Sequence, residues 1–356
     1  MAPWCTIFPD FPTSRLPEFP TSETSSISLT LPRLLLLLLV LAPGGILRAQ
    51  GGYAGSFLRR AILSQEIARG GVFTPFLADA SAIFSNSAAL ARIGPPSASL
   101  SFSTHPWSQQ QSGTLGFAMG LGEQAGVGIG VYTYGIREFT GRDSEGRSTG
   151  EKSQRELAMS LGAALGIGPG SIGATIRYLR QDNFGVQGSS TGYAIDMSAN
   201  LSFRDELFLA LGLNNIAGEM SPTYDSDLRE RIPWHARFSG TYVYPLETER
   251  ATLRPDPTGR IMEQRLQPRA YLLGAAEARI SQIDSLVLVG ATLEALPYAS
   301  IPVGGRIGYN TIGDISGGIF LTVPVEFAER LRLDCTARRD YELGNISYHL
   351  TLTAEF

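Results

Sequence analysis

From residue 97 onward, apolar and polar positions alternate with a period of two. In 191–203, Tyr193, Ile195, Met197, Ala199, Leu201 and Phe203 share one parity, while Asp196, Ser198, Asn200 and Ser202 share the other. In 330–338, Leu331, Leu333, Cys335 and Ala337 alternate with Arg330, Arg332, Asp334, Thr336 and Arg338. Wound as a helix, such a segment would be apolar all round. Extended as a strand, it has one apolar face and one wet face. The same alternation runs through 114–121 and 234–244.

Read this way, the chain holds fourteen strands, near 97–104, 114–121, 126–134, 155–165, 171–181, 191–203, 207–214, 234–244, 268–279, 285–293, 302–309, 315–322, 330–338 and 347–356. An even number lets a closed barrel begin and end on one side of a membrane. The fold class expected is therefore all-β, a transmembrane antiparallel β-barrel preceded by a short helical plug. In the first half, connections alternate short and long: 122–125, 166–170 and 204–206 against 135–154, 182–190 and 215–233. That is the pattern of periplasmic turns and outer loops. It breaks at 245–267, a long connection where a short one is due, so the strand count carries an uncertainty of about two. The last strand places Tyr348, Leu350, Leu352, Ala354 and Phe356 outward. Its ten residues match the ~9–11 of a tilted spanning strand. Tyr348, Leu352 and the terminal Phe356 resemble the signal by which bacterial barrels are recognised, which implies the barrel assembly machinery as a partner.

The residues before the barrel carry a different pattern. Leu34 to Ala42 form a short apolar core after Arg33, followed by Pro43-Gly44-Gly45 and the small-residue site Leu47-Arg48-Ala49-Gln50. This is the tripartite pattern of a secretory signal. Nine apolar residues are too few to cross a ~30 Å hydrocarbon core as a helix. Residues 1–49 are thus a long N-terminal extension plus cleaved signal, 50–96 a helical plug segment, and 97–356 the barrel. Within the plug, 77–91 is Ala-rich and helix-compatible, with Asp79 or Ser81 as cap, and it can run no further than Ile93 before Gly94-Pro95-Pro96.

Composition sharpens this reading. Charged residues are only 17% and glycines number 40, as suits a lipid-facing belt around a crowded interior. The net charge of −4 argues against nucleic acid. With Cys5 removed, Cys335 is alone. His105, His235 and His349 have no metal-ligand spacing, and no cofactor is expected. GxSxG occurs at Gly146–Gly150 and Gly188–Gly192, but neither follows a strand and opens a helix, as a nucleophile elbow requires. Gly168–Gly173 fits GxGxxG but leads into a strand. No catalytic constellation remains, and a non-enzymatic protein is expected. Inward-facing candidates are Arg177, Asp196, Arg237, Arg306, Arg332 and Asp334. Their opposed charges read as a structural ladder, or as a selectivity-setting pore lining.

Gly70-Gly71-Val72-Phe73, then Ala78-Asp79-Ala80-Ser81-Ala82-Ile83-Phe84-Ser85-Asn86-Ser87-Ala88-Ala89-Leu90, resembles the N-terminal signature of the PorV/PorQ family, barrels of FadL-like architecture. Gly70, Gly71, Asp79, Ser81 and Asn86 carry the match; Ser87 stands where the family has Pro. Ile232-Pro233 and the closing hairpin through Leu343-Gly344 to Phe356 are similar to the family as well. The resemblance implies an outer-membrane protein of a Gram-negative-type bacterium, surrounded by lipid. It would act with a type IX-like secretion and surface-attachment system, with secretion proteins or their cargo as partners. The alternative is a FadL-like transporter of hydrophobic small molecules. Inner faces that read mainly Gly, Ser, Thr, Arg and Asp favour the first, because a transporter of such molecules needs an apolar interior.

Overall fold

The computed structural model describes residues 54–75, 79–122, 124–182, 188–203, 206–223, 227–247, 254–255, 261–262, 270–282, 285–295, 303–340 and 344–356. The expected signal segment and the extension before it lie outside the described residues.

Fourteen long strands follow in chain order. They are β1 (Ser97–His105), β2 (Gln110–Gly120), β3 (Ala125–Arg142), β4 (Ser148–Ile167), β5 (Gly170–Asp182), β6 (Ser189–Phe203) and β7 (Leu207–Pro222), then β8 (His235–Glu247), β9 (Ala270–Ser281), β10 (Ser285–Ala295), β11 (Val303–Asn310), β12 (Ile315–Val325), β13 (Ala328–Arg339) and β14 (Ile346–Glu355). All pairings are antiparallel. Sequence neighbours pair throughout, and β6 pairs with β7 across the turn that joins them. The first and last strands also pair, from Ser97 opposite Glu355 to Thr104 opposite Tyr348. Every one of the fourteen therefore has two strand neighbours, and the ring has no free edge.

The period-2 pattern becomes an inside and an outside. On β1, Ser97, Ser99, Ser101 and Ser103 are buried within the ring, while Leu100 and Phe102 are exposed on its outer surface. On β14, Ser347, His349, Thr351 and Thr353 point in, and Tyr348, Leu350 and Leu352 point out. The outer surface also carries Leu115, Phe117, Met119, Leu161, Ile176, Phe238, Ile307, Ile319 and Leu333. A belt this apolar is stable against hydrocarbon and costly against water.

Three features depart from the sequence reading. The long loop expected at 135–154 is mostly strand: β3 runs to Arg142 and β4 starts at Ser148. The two continue as a paired ribbon, with Phe139 opposite Lys152. The alternation weakens there because both faces of a ribbon beyond the apolar belt meet water. Likewise β7 runs on to Pro222. It passes a bulge opposite Asp196 where Asn215 adopts a left-handed φ of 56°. Finally, the long connection after β8 is not a miscounted strand. β8 ends and β9 begins at the end of the ring that holds Ser97 and Phe356, and the two pair directly, so the strand number stays even.

The segment before β1 fills the ring. It contains a 3-10 turn (Ser56–Arg59), a one-turn helix α1 (Ser64–Ile67), a second one-turn helix α2 (Ala82–Ser85) and a 3-10 stretch (Ser87–Arg92). The continuous helix expected over 77–91 does not form. It breaks at Asn86, whose φ of −140° and ψ of 81° leave the helical region. Nor does Ser81 or Asp79 cap it as expected: no side chain caps α2. Asp79 instead accepts hydrogen bonds from the Ser81 backbone N–H, at 2.8 Å, and from the Ser81 hydroxyl. Helical propensity yields here because the ring wall offers partners to the backbone groups.

Candidate functional site: the occupied lumen

The lumen holds two stretches of the segment, each docked on a different arc of wall. Residues 64–74 meet β8, β9 and β11–β14. The Ser64 hydroxyl lies 2.7 Å from that of Thr351, and Thr336 donates to Ser64 O at 2.9 Å. Gly70 and Gly71 have φ of 76° and 92°, and this left-handed turn costs little in glycine. The turn aims the Gly70 N–H at the Ser316 hydroxyl, 3.1 Å away. A Cβ at Gly308 of the wall would lie 1.9 Å from Gly70 N. Beyond the turn, Phe73 N–H donates to Glu277 at 2.6 Å and Arg237 donates to Gly71 O at 3.1 Å.

Residues 80–93 meet β2–β6. Phe84, Ile83 and Leu90 are buried there together with Ala118, Ala158 and Ala164 of the wall. A Cβ at Gly126 would stand 1.9 Å from Leu90 O, so the segment's backbone lies directly on the wall's backbone. Asn86 donates to Asn200 at 2.9 Å and to Thr74 O at 3.1 Å. Ser198 takes the Ala88 N–H at 2.7 Å, and Arg177 donates to Phe84 O at 3.2 Å.

The inward-facing candidates all stand inside the ring, in three groups of opposed charge, and a fourth group joins them. Arg177 and Asp196 are 2.5 Å apart. Arg237 faces Glu277 through two bonds of 2.8 and 2.9 Å. Arg306 and Arg332 both reach Asp334 and both lie over the Phe320 ring, at 4.0 and 4.6 Å. Arg338 meets Asp314. Charges taken from water persist when paired this closely. The arrangement is a ladder of pairs, several of which also grip the segment.

The sequence reading passed over Glu277, Arg279 and Glu66. Glu277 and Arg279 share a parity on β9 with the buried Ala275, so strand phase alone could have placed them inward. Glu66 sits on α1, where the period-2 rule does not apply. Its carboxyl is buried and raised above the ordinary carboxylate range by loss of water, with Arg237 pulling it back. His105 and His349 come within 5.9 Å between ring centroids because β1 pairs with β14. His349 is buried and His105 half-buried. Among the described residues no group of three potential metal ligands occurs. Tyr348 and Leu352 face outward, as does Phe356, whose N–H donates to Pro96 O at 2.8 Å.

The lumen also contains apolar surface that the strand pattern did not reveal. Phe57 stacks on Tyr132, with centroids 5.6 Å apart. Around them gather Leu63, Tyr134, Leu179, Met220 and Ile232. Much of this comes from the segment itself, which a reading of inner strand faces leaves out.

No protein-family model matches the chain, and no curated protein matches it. The PorV/PorQ resemblance of residues 70–90 therefore has no support beyond its short motif. Solved structures do match in fold. The toluene transporter TbuX of Ralstonia pickettii has a TM-score of 0.53 at 10% identity, covering 83% of this chain and 98% of its own. The Pseudomonas putida toluene transporter TodX gives 0.52 at 11%, covering 83% and 98%. A Pseudomonas aeruginosa FadL homologue gives 0.52 at 10%, covering 83% and 99%. The chain thus shares the closed antiparallel β-barrel fold of these FadL-like proteins.

Proposed function

We propose that this protein is an outer-membrane channel for small hydrophobic molecules, held closed by its own residues 54–75 and 79–93. The observation that carries the reading is the apolar cluster inside the ring, with Phe57, Leu63, Phe84 and Leu90 of the segment set against Tyr132, Leu179 and Met220 of the wall. An interior of this kind gives a hydrophobic solute somewhere to go once the segment yields. Ordinary water-filled pores have no such surface. Three of the structures that share the fold are toluene transporters or a FadL homologue, which supports the same reading. The secretion role rests on short sequence motifs, chiefly at 70–90, and on the polar inner strand faces, and no comparison supports it.

The test is uptake. Cells lacking their own hydrocarbon channels, supplied with this chain, are expected to take up labelled toluene or a medium-chain alkane faster than cells with an empty vector. Equal uptake, with the barrel shown folded by its heat-modifiable migration, would overturn the reading.

A further inference from the structure

We propose that Arg237 and Glu277 form a latch that keeps the lumen closed by gripping the backbone at residues 71–73. The proposal rests on the reading of the barrel as a closed passage, and it names the contact that closes it.

The pair is buried, with side-chain exposures of 9% and 0%. Its two bonds, Nε to Oε1 at 2.8 Å and NH2 to Oε2 at 2.9 Å, fix both planes. Each partner then spends a remaining hydrogen-bonding direction on the segment. Glu277 Oε2 accepts the Phe73 N–H at 2.6 Å, and Arg237 NH2 donates to Gly71 O at 3.1 Å. The Phe73 ring lies 4.7 Å under the same guanidinium. The left-handed turn at Gly70–Gly71 presents these backbone groups to the pair. One ion pair on two adjacent strands, β8 and β9, thus holds both sides of a single turn.

Two comparisons make this a latch and not merely a structural contact. Elsewhere residues 64–70 bond to the single hydroxyls of Thr351, Thr336 and Ser316, and Glu66 and Arg69 face Arg237 and Asp334 of the wall through charge. Bonds to an ionised group are roughly twice as strong as neutral ones, so the paired bonds at 71–73 outweigh those to the hydroxyls. Release also leaves no stranded charge on the wall. Glu277 keeps Arg237 and additionally faces Arg279, Nε to Oε1 at 3.2 Å. The backbone groups set free are ones that water can satisfy. A contact that is strong when made and harmless when broken can open and reclose.

The experiment is ion conductance of the full-length protein in planar bilayers, which needs no hydrophobic solute and so stands or falls apart from the uptake test. Glu277→Gln is expected to raise the fraction of time open by about tenfold, the scale of weakening a charge-assisted hydrogen bond. If that variant does not assemble, Arg237→Lys carries the same expectation, because it keeps the cation but loses the two-pronged fit. Each is then combined with Ser64→Cys and Thr351→Cys in a Cys335→Ser background. Oxidation should return the latch variant to wild-type closure, and a reducing agent should reopen it. Wild-type conductance in both folded latch variants would overturn the proposal. So would a raised conductance that the disulfide does not suppress, since the current would then not pass where residues 64–74 sit.

Discussion

Residues 80–93 and residues 64–74 occupy the same lumen and are held there by different physics. The first stretch lies so close to β2–β6 that the wall needs glycine under it, with Leu90 O seated over Gly126, and it buries Ile83, Phe84 and Leu90. The second also lies on wall glycine, with Gly70 N over Gly308, and buries Ile67, Val72 and Phe73, but it adds bonds to hydroxyls, one carboxylate and one guanidinium of β8, β9 and β12–β14. Close packing is lost all at once when surfaces separate. Hydrogen bonds can be exchanged for water one at a time.

That contrast can be broken from either side. The largest effect is expected from Phe84→Ala, which empties space between Gly116 and Gly130. It should destabilise the docked first stretch by ~3–5 kcal/mol, read as a lower denaturant midpoint and faster proteolysis within 80–93. Gly126→Ala forces a methyl group against Leu90 O. A cost of ~1–3 kcal/mol is expected, seen as weaker heat-modifiable migration or a displaced segment; unchanged stability would mean that the stretch is not seated on the wall. Thr351→Val removes a hydroxyl shared by Ser64 and Ser101, with a smaller loss of ~1 kcal/mol. Its proteolysis should quicken within 64–74 while 80–93 stays protected. If both stretches loosen together, the two docking sites are one unit and the contrast fails.

The smallest effect concerns pH. Burial raises the Glu66 carboxyl above its ordinary value of 4.5, against the pull of Arg237 and Arg279 and with Glu277 adding to the rise. Docking therefore favours the protonated form. Its contribution is complete below the ordinary value and is lost as pH climbs through the raised one. Conductance is expected to increase modestly from pH 4 to pH 8 in the wild type and to be flatter in Glu66→Gln. A wild-type conductance that falls over this range would contradict the assignment.

Strand phase was readable in the chain because a two-residue period leaves each side chain only two faces to choose between. Lipid on one side and a crowded interior on the other make that choice unambiguous at Asp196, Arg237, Leu333 or Asp334. The even number of strands and the outward belt followed from this alone, whereas the inward set omitted Glu277 and Arg279. What the period does not encode is pairing across the ring and whatever fills it. Only the closed structure sets Arg237 beside Glu277 and His105 beside His349. Only the closed structure shows that the segment supplies much of the apolar interior that the strand faces lack. The same cause explains the broken helix at Asn86. An Ala-rich stretch favours a helix when its backbone must satisfy itself, but inside the ring Asn200, Ser198 and Arg177 supply partners from strands about a hundred residues away in sequence, and those partners exist only once the barrel has closed.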